Sequence, residues 1–223
     1  MTRMQRKPEP ELMDLPAEAA AYAEADFSRE NSAFVEGLCQ LARDVETARC
    51  VDLGAGPADI PVRIARTLSG WHITAVDAAG AMLRLARHRI EAESLSHRIS
   101  LLQADASRTG LDSDSFDVLI SNSILHHVAD PIDFWHEATR LVRPGGLVFL
   151  RDLLRPESEA RARELVECYA GQATDLLKEE FYRSLLAAYL PEEIEDQLRR
   201  AHLSGLKVRT VTDRHVDVFG HPD

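Results

Sequence analysis

The chain has 223 residues, of which 45% are hydrophobic and 28% charged, so it can bury a sizeable core and is neither disordered nor membrane-spanning. Its formal net charge of −11 disfavours a phosphate backbone as a large partner, so we expect no nucleic-acid partner. No apolar run approaches the roughly 20 residues that a spanning helix needs, so we expect no membrane partner. Its three cysteines are scattered and form no CxxC pair, which argues against a zinc site or disulfide framework and favours a cytoplasmic location, with no metal bound.

The first 44 residues are expected to form an N-terminal helical cap. Apolar residues recur at three-to-four spacing in residues 12–44, which predicts two helices. About the first ten residues are charged and proline-bearing without an apolar run, so we expect them to be disordered and not to form a signal peptide. Residues 45–223 then form the main domain.

The first strand of that domain is predicted at about 48–53 and leads into a glycine turn. Cys50 is expected to pack inside the strand as a small apolar residue. Gly54 and Gly56 supply the tight turn, and glycine lets a backbone come close to a ligand because it has no Cβ.

The charge of this turn restricts its ligand. Asp52 lies two residues before Gly54, and Pro57 and Ala58 stand where a dinucleotide-binding turn would have further glycines. A pyrophosphate would be repelled by this carboxylate, whereas a ligand with an ammonium group would be attracted to it.

Residues 51–57, Val-Asp-Leu-Gly-Ala-Gly-Pro, resemble the first motif of class I S-adenosylmethionine-dependent methyltransferases, with Ala58 in place of a common glycine. The resemblance implies S-adenosylmethionine as the methyl donor and S-adenosylhomocysteine as its product. The donor's ammonium group would lie near Asp52, and the backbone of Gly54, Ala55 and Gly56 would hold its carboxylate.

The second strand, about 71–76, ends in Asp77, whose two oxygens can accept hydrogen bonds from both hydroxyls of a ribose. Ala78 and the small residues that follow it leave room for an adenine, and Met82 can lie against its face. Core packing is the alternative interpretation of Met82.

The third strand, 99–103, is followed by Asp105 and Ala106. The family resemblance implies that Asp105 accepts a hydrogen bond from the adenine amine, although an aspartate after a strand is by itself more typical of a turn or a helix cap. Asp52, Asp77 and Asp105 lie at the ends of successive strands, and a doubly wound sheet brings such ends to one crevice.

The fourth strand, 118–121, and the segment after it resemble the corresponding motif of methyltransferases of ubiquinone and menaquinone biosynthesis. The resemblance implies that Ser121 and Asn122 lie beside the methionine part of the donor. The Asn/Asp-Pro-Pro-aromatic tetrapeptide of enzymes that methylate nucleobase or glutamine amines is missing, which argues against DNA and translation factors as substrates.

His126 and His127 are candidate proton acceptors, because an imidazole can take a proton from the acceptor while the methyl group moves. The alternative is that this histidine pair caps or packs locally. Tyr22 is a third catalytic candidate. In the family the N-terminal helices often fold over the donor, so Tyr22 and Phe27 are expected to form one wall of the substrate site, unless they merely pack a surface helix.

Residues 153–190 carry more helix than a crossover needs and are expected to form a lid insertion. Such insertions border the acceptor pocket in the family, which makes Arg151, Tyr169 and Tyr182 candidates for substrate binding. A solvated helical hairpin with an apolar underside is the alternative.

The fold expected from this alternation of strands and helices is α/β, a Rossmann-like seven-stranded sheet in the order 3214576 flanked by helices. Residues 212–214 form too short a link for a parallel crossover, so the last strand is antiparallel.

The function expected is methyl transfer from S-adenosylmethionine to a small molecule by in-line displacement, with catalysis mainly through proximity and desolvation. The alternatives are an RNA or protein methyltransferase and a non-catalytic donor-binding protein. The sequence leaves open whether the chain is a monomer or a homodimer.

Overall fold

The structure, a computed structural model, describes residues 4–9, 14–128 and 130–222. The expected disorder of residues 1–3 and 10, and the start of the first helical pattern at Leu12, lie outside these ranges. Residues 4–9 are in contact with the rest of the chain, and the backbone N–H of Lys7 donates to the carbonyl oxygen of Leu186 at 3.0 Å.

The described part of the chain contains seven strands and eight α-helices. The strands are β1 (Thr47–Leu53), β2 (Gly70–Asp77), β3 (Ile99–Gln103), β4 (Phe116–Asn122), β5 (Val142–Leu153), β6 (Leu206–Thr210) and β7 (His215–Gly220). The helices are α1 (Pro16–Glu24), α2 (Ser28–Leu41), α3 (Asp59–Thr67), α4 (Gly80–Ala92), α5 (Pro131–Leu141), α6 (Glu159–Ala170), α7 (Asp175–Ala187) and α8 (Pro191–Arg200). A short 3-10 helix, Leu125–His127, follows β4.

The strands form one sheet in the order β3-β2-β1-β4-β5-β7-β6. Strands β1 to β5 pair in parallel with one another, and β7 runs antiparallel to both β5 and β6. The predicted fold class and strand order are therefore confirmed. The reversal of β7 follows from its short link to β6, which cannot hold a crossover.

Two apolar layers cover the sheet because successive side chains of a strand point to opposite faces. Cys50, Val118 and Phe149 belong to the layer that includes Phe34 of α2, whereas their neighbours on the strands face a layer that includes Trp135 of α5. Cys50 is fully buried, so its expected packing role is confirmed.

The helix boundaries have local causes. Asp130 accepts a hydrogen bond from the backbone N of Ile132 and Pro131 begins α5, while Ser158 and Thr174 cap α6 and α7 in the same way. The glycine-containing segment 143–146 is part of β5, and the pairing of β4 with β5 is irregular between Phe116 and Val118.

Candidate active site

A cavity of about 280 Å³ lies at the carboxyl ends of β1 and β4. Its walls come from the α1–α2 link, the turn after β1, the first turns of α3, one residue of α4 and the end of β4. The lining residues are Tyr22–Ser28, Asn31, Asp52, Gly54–Pro57, Asp59, Ile60, Arg63, Arg89 and Asn122. Carboxyl ends of parallel strands are the usual ligand site in open α/β sheets.

The two glycines of the turn have different structural roles. Gly54 has φ +79°, and a Cβ at this position would lie 1.9 Å from Cγ1 of Ile124, so close packing with the segment after β4 requires glycine. Gly56 has φ +52°, and a Cβ there would meet no atom of residues 4–9, 14–128 or 130–222 within 4 Å. The backbone of Gly56 therefore borders open space, which suits the close approach of a ligand.

Asp77 braces this turn. Its Oδ2 atom accepts a hydrogen bond of 2.8 Å from the backbone N of Gly56, and its Oδ1 atom accepts one of 2.8 Å from the backbone N of Ala79. Burial raises the pKa of Asp77 above its ordinary value, although the two N–H donors act in the opposite direction. Each carboxylate oxygen has a second lone pair, so both can still accept a hydroxyl of a ligand.

Asp52 is a buried carboxyl group that faces the cavity and is 2% exposed. No residue of the described ranges forms an ion pair or hydrogen bond with it. Burial, with a smaller contribution from the negative charge of Asp77, raises the pKa of Asp52 to about 8. A cationic group placed in the cavity would provide the missing counter-charge and favour the carboxylate form.

The α1 helix covers the β2–α4 junction beside the cavity. Ala19 packs with Ala79, Ala81 and Met82, all of them buried. Oδ1 of Asp14 accepts a hydrogen bond of 2.9 Å from the backbone N of Ala81. Met82 is thus part of an apolar contact with α1, as in its packing interpretation, and Ala78 lies at the start of the same junction.

Tyr22 and Phe27 lie together on the cavity wall, with ring centroids 4.9 Å apart and planes inclined by 37°. Burial, followed by the negative charges of Asp77, Asp59 and Glu180, raises the pKa of Tyr22 to about 12. Its hydroxyl group is therefore neutral at physiological pH and can donate a hydrogen bond but not act as a base.

The remaining residues predicted to bind the donor follow β3 and β4. Asp105 is exposed, and its Oδ1 atom accepts a hydrogen bond of 2.7 Å from the backbone N of Ser107, while Ala106 packs against the apolar layer that includes Trp135. The hydroxyl of Ser121 is buried and donates to the carbonyl oxygen of Leu53 at 2.7 Å, which ties β4 to β1. Asn122 lines the cavity itself.

A polar cluster at the cavity wall was missed by the sequence reasoning. Oδ2 of Asp59 accepts hydrogen bonds from Nε of Arg63 at 2.5 Å and from Nδ2 of Asn31 at 2.9 Å, and its Oδ1 atom lies 3.3 Å from Nη1 of Arg89. The spacing of Asp59 and Arg63 by four residues predicts an ion pair within a helix. Its approach to Asn31 and Arg89 depends on the packing of three helices.

His126 and His127 are placed away from the cavity lining. Nδ1 of His126 lies 2.6 Å from Oδ1 of Asp152, and both side chains are buried. Burial, followed by the proximity of His126, lowers the pKa of His127 to about 3, and its Nδ1 atom is buried without a hydrogen-bond partner in the described part of the chain. The geometry favours local packing for this pair, and their role as proton acceptors stays a prediction.

Asp152 is the unanticipated member of this cluster. Besides His126, its carboxylate accepts hydrogen bonds of 2.6 Å from the backbone N atoms of Leu125 and Leu153. Although burial works to raise the pKa of Asp152, His126 and the N–H donors hold it below its ordinary value. An acid at the end of β5, as at β1 and β2, was the available sequence signal.

The three residues expected to bind the acceptor do not line the cavity either. Arg151 donates to both carboxylate oxygens of buried Asp217, at 2.6 and 2.9 Å. The Tyr169 ring lies 3.3 Å from the guanidinium of Arg214. The hydroxyl of Tyr182 donates to Oε2 of Glu159 at 3.2 Å on the exposed side of the α6–α7 hairpin. Their role in substrate binding stays a prediction.

Two features are absent from residues 4–9, 14–128 and 130–222. Within these ranges no group of three or more His, Cys, Asp or Glu side chains converges as metal ligands would. No helix of the described chain has the length and apolar character needed to cross a membrane.

Residues 51–150 match the family model described as a methyltransferase domain. A demethylmenaquinone methyltransferase from Clavibacter sepedonicus is 29% identical over 138 residues, covering 58% of this chain and 54% of that protein. A ubiquinone biosynthesis O-methyltransferase from Methylocella silvestris is 32% identical over 126 residues, covering 54% of this chain and 47% of that protein. The chain thus spans about half the length of these relatives.

Solved structures share the fold along nearly the whole chain. A Methanococcus maripaludis protein assigned to the S-adenosylmethionine-dependent methyltransferases has a TM-score of 0.75 at 16% identity, covering 97% of this chain and 98% of that one. The phosphoethanolamine N-methyltransferase 2 of Haemonchus contortus, in complex with S-adenosylmethionine, has a TM-score of 0.69 at 16% identity, covering 94% of this chain and 58% of that one. At this identity the likeness concerns the fold.

Proposed function

We propose that this chain is a class I methyltransferase that transfers a methyl group from S-adenosylmethionine to a small-molecule acceptor, since residues 51–150 match the family model of a methyltransferase domain. One observation carries the proposal. The open space beside Gly56 lies next to Asp52, a buried carboxyl group that lacks a counter-charge among the described residues. This arrangement fits a ligand that carries both an ammonium group and a carboxylate on one carbon.

We assign the donor contacts to the residues that the fold brings to this edge of the sheet. Asp52 would hold the ammonium group, and the backbone of Gly54, Ala55 and Gly56 would approach the carboxylate. The free lone pairs of Asp77 suit the ribose hydroxyls. These pairings match charge with charge and donor with acceptor, so none leaves a buried group unpaired.

The adenine side of the site is lined by small and apolar residues. We propose that Ala78 and Met82 contact the ring, that exposed Asp105 accepts a hydrogen bond from its amine, and that Ala106 borders it. Ser121 and Asn122 complete the methionine side, Ser121 through its hydrogen bond to β1 and Asn122 from the cavity wall.

When bound, S-adenosylmethionine supplies an electrophilic methyl group on a sulfonium ion. The chain's own contribution is to orient the acceptor against that methyl group and to exclude water, and alignment of this kind can supply several kcal/mol of a barrier. Tyr22 and Phe27 form an apolar wall at the cavity, which lowers the polarity there. We propose that α6 and α7 act as a lid over the acceptor side.

The acceptor class rests on the relatives and on charge. The two relatives described above are named for the methylation of quinone precursors. A net charge of −11 also disfavours an RNA acceptor. We further propose a cytoplasmic location, in keeping with three unpaired cysteines, and a monomer or homodimer as the active form.

Calorimetric titration of S-adenosylmethionine and S-adenosylhomocysteine tests the donor site. We expect dissociation constants in the micromolar range for the wild type and loss of binding for Asp77→Ala, because this change removes both the ribose acceptor and the brace on Gly56. Asp196→Ala is a matched control that should bind as the wild type does, because the side chain of Asp196 is half exposed on α8 and does not line the cavity.

The outcome also separates the alternatives. If the wild type bound neither compound, the methyltransferase function would be rejected. Binding of both without turnover of any small-molecule quinone precursor would favour a non-catalytic donor-binding protein. Methylation of RNA or protein instead would assign the acceptor to a macromolecule.

A further inference from the structure

Residues 4–9, which we call the N-terminal strap, run along the α6–α7 hairpin. The backbone N of Lys7 donates to the carbonyl oxygen of Leu186 at 3.0 Å, and the ammonium group of Lys7 lies 2.6 Å from Oε1 of Glu159. The hydroxyl of Ser184 donates to Oε2 of Glu9 at 3.1 Å. Main-chain and side-chain hydrogen bonds thus hold the strap to both helices of the hairpin.

Arg6 connects the hairpin to a second element. Its Nε atom donates to the carbonyl oxygen of Ala187 at 2.6 Å, whereas its Nη2 atom donates to the carbonyl oxygen of His126 at 2.8 Å. The guanidinium also lies 4.0 Å from the centroid of the Tyr189 ring. A planar guanidinium can bridge two carbonyls and stack on a ring at once, which a lysine cannot do.

The segment reached by Arg6, residues 124–128, borders the donor turn. Ile124 occupies the space that a Cβ at Gly54 would need. On the other side Asp152 accepts hydrogen bonds from the backbone N of Leu125 and contacts the ring of His126. The segment 124–128 is therefore held between β5, the strap and the glycine turn. The side chain of Arg6 donates a hydrogen bond to the backbone of this segment.

Glu9 adds a second connection, since its backbone hydrogen-bonds the imidazole of His127. The strap thus contacts both histidines of the segment. Neither histidine lines the cavity, so any effect of the strap on the donor site passes through the segment 124–128.

We propose that Arg6 is a positioning residue, which fixes the segment 124–128 against the donor turn and locks the α6–α7 hairpin to it before the donor binds. This inference rests on the proposed function, because it concerns the same donor site. Its consequence is that donor affinity depends on a side chain that does not touch the donor.

The test compares Arg6→Ala with two changes in the same strap. Gln5→Ala is the matched control, since Gln5 is exposed and adjacent. Lys7→Ala removes only the ion pair between Lys7 and Glu159 and leaves the bonds of Arg6 in place. For Arg6→Ala we expect S-adenosylhomocysteine to bind about tenfold more weakly, because a charged hydrogen bond that positions the site is lost. Arg6→Lys should restore part of the affinity.

Amide hydrogen exchange supplies a readout that does not depend on the ligand. In Arg6→Ala the amides of Leu125–Val128 should exchange faster, while those of the central strands β1 and β4 keep wild-type rates. Faster exchange throughout the chain would overturn the proposal, because Arg6 would then only contribute to global stability.

Wild-type affinity together with wild-type exchange at Leu125–Val128 in Arg6→Ala would also overturn it. If the wild type itself bound no S-adenosylhomocysteine, the proposed function would fail, and the exchange rates alone would decide whether Arg6 positions this segment.

Discussion

The carboxylate of Asp77 accepts a hydrogen bond of 2.8 Å from the backbone N of Gly56, so the end of β2 holds the turn that follows β1. Residues 21 positions apart are joined at the point where the donor is proposed to bind. The turn is therefore shaped before any ligand arrives, and preorganisation of this kind reduces the cost of binding.

The two glycines of this turn should respond differently to alanine. Gly54→Ala forces a Cβ onto Ile124 at positive φ, and we expect a loss of roughly 3 kcal/mol or more in the free energy of unfolding. Gly56→Ala meets no atom, so it should cost only about 1–2 kcal/mol for its positive φ but weaken donor binding at least about tenfold. Urea denaturation measures the stability of both variants, and calorimetry measures their affinity for the donor. Unimpaired donor binding to Gly56→Ala would contradict the proposed contact between the backbone of Gly56 and the donor carboxylate.

Donor binding should depend on pH through Asp52. With a pKa of about 8 in the free protein, the carboxyl group is mostly protonated at pH 6 and must lose this proton to pair with a cation. We therefore expect the affinity for S-adenosylmethionine to rise by up to about tenfold for each pH unit between pH 6 and 7.5. Asp52→Asn should abolish this slope and weaken binding at pH 7.5, and calorimetry in buffers of different ionisation enthalpy counts the released proton.

The same carboxyl group should destabilise the ligand-free fold. Its pKa is raised in the folded state, so the folded protein binds more protons than the unfolded chain between about pH 4 and 8, and stability falls as the pH rises. Asp52→Asn should then be more stable than the wild type at pH 8 by at least about 1 kcal/mol and gain less at pH 5. An equal effect at both pH values would show that Asp52 titrates normally.

His127 should contribute to stability in the opposite sense. Its pKa of about 3 lies below the ordinary value of 6.5, so the unfolded chain binds the extra proton and the contribution is lost as the pH falls below 6.5. Between pH 7 and 5 the difference in unfolding free energy between the wild type and His127→Gln should change by about 2 kcal/mol. Urea denaturation at the two pH values measures it, and a pH-independent difference would show that His127 titrates freely.

A clasp formed by Arg214, Glu30 and Asp213 explains the position of Tyr169. Nη2 of Arg214 donates to Glu30 of α2 at 2.9 Å, its guanidinium covers the ring of Tyr169 on α6, and the hydroxyl of Tyr169 donates to Asp213. Arg214→Lys should lower the free energy of unfolding by about 1–2 kcal/mol, because lysine loses the stacking and the fork of donors. S-adenosylhomocysteine affinity should stay unchanged. An unaltered denaturation midpoint in Arg214→Lys would show that these contacts do not stabilise the fold. Tyr169 would then again be a candidate for binding the acceptor.

The sheet could be predicted from the sequence because the features that determine its strands and turns lie close together along the chain. Apolar strand segments, a glycine turn after Leu53 and the short link before His215 each follow from neighbouring residues, and together they imply the strand order that the structure confirms. The ends of β1 and β2 also placed Asp52 and Asp77 at one edge, since parallel strands share that edge.

The partners of side chains were not predictable in the same way. His126 was a candidate base by its type, but only the packing of β5 beside the segment after β4 shows that Asp152 holds its imidazole in a buried pair. Arg151 and Tyr169 were candidates for acceptor binding because they lie near the predicted insertion. In the structure Arg151 is paired with Asp217 and the ring of Tyr169 is in contact with Arg214, and both partners are more than forty residues away along the chain.

By itself, the sequence determined the class of fold, the glycine turn and the acids at the strand ends, because strand period, turn chemistry and chain connectivity act over a few residues. Only the tertiary structure decided which polar groups face the cavity and which form hydrogen bonds or ion pairs with one another. Such pairs are set by contacts between distant segments, and a buried charge takes whichever partner the packing brings to it.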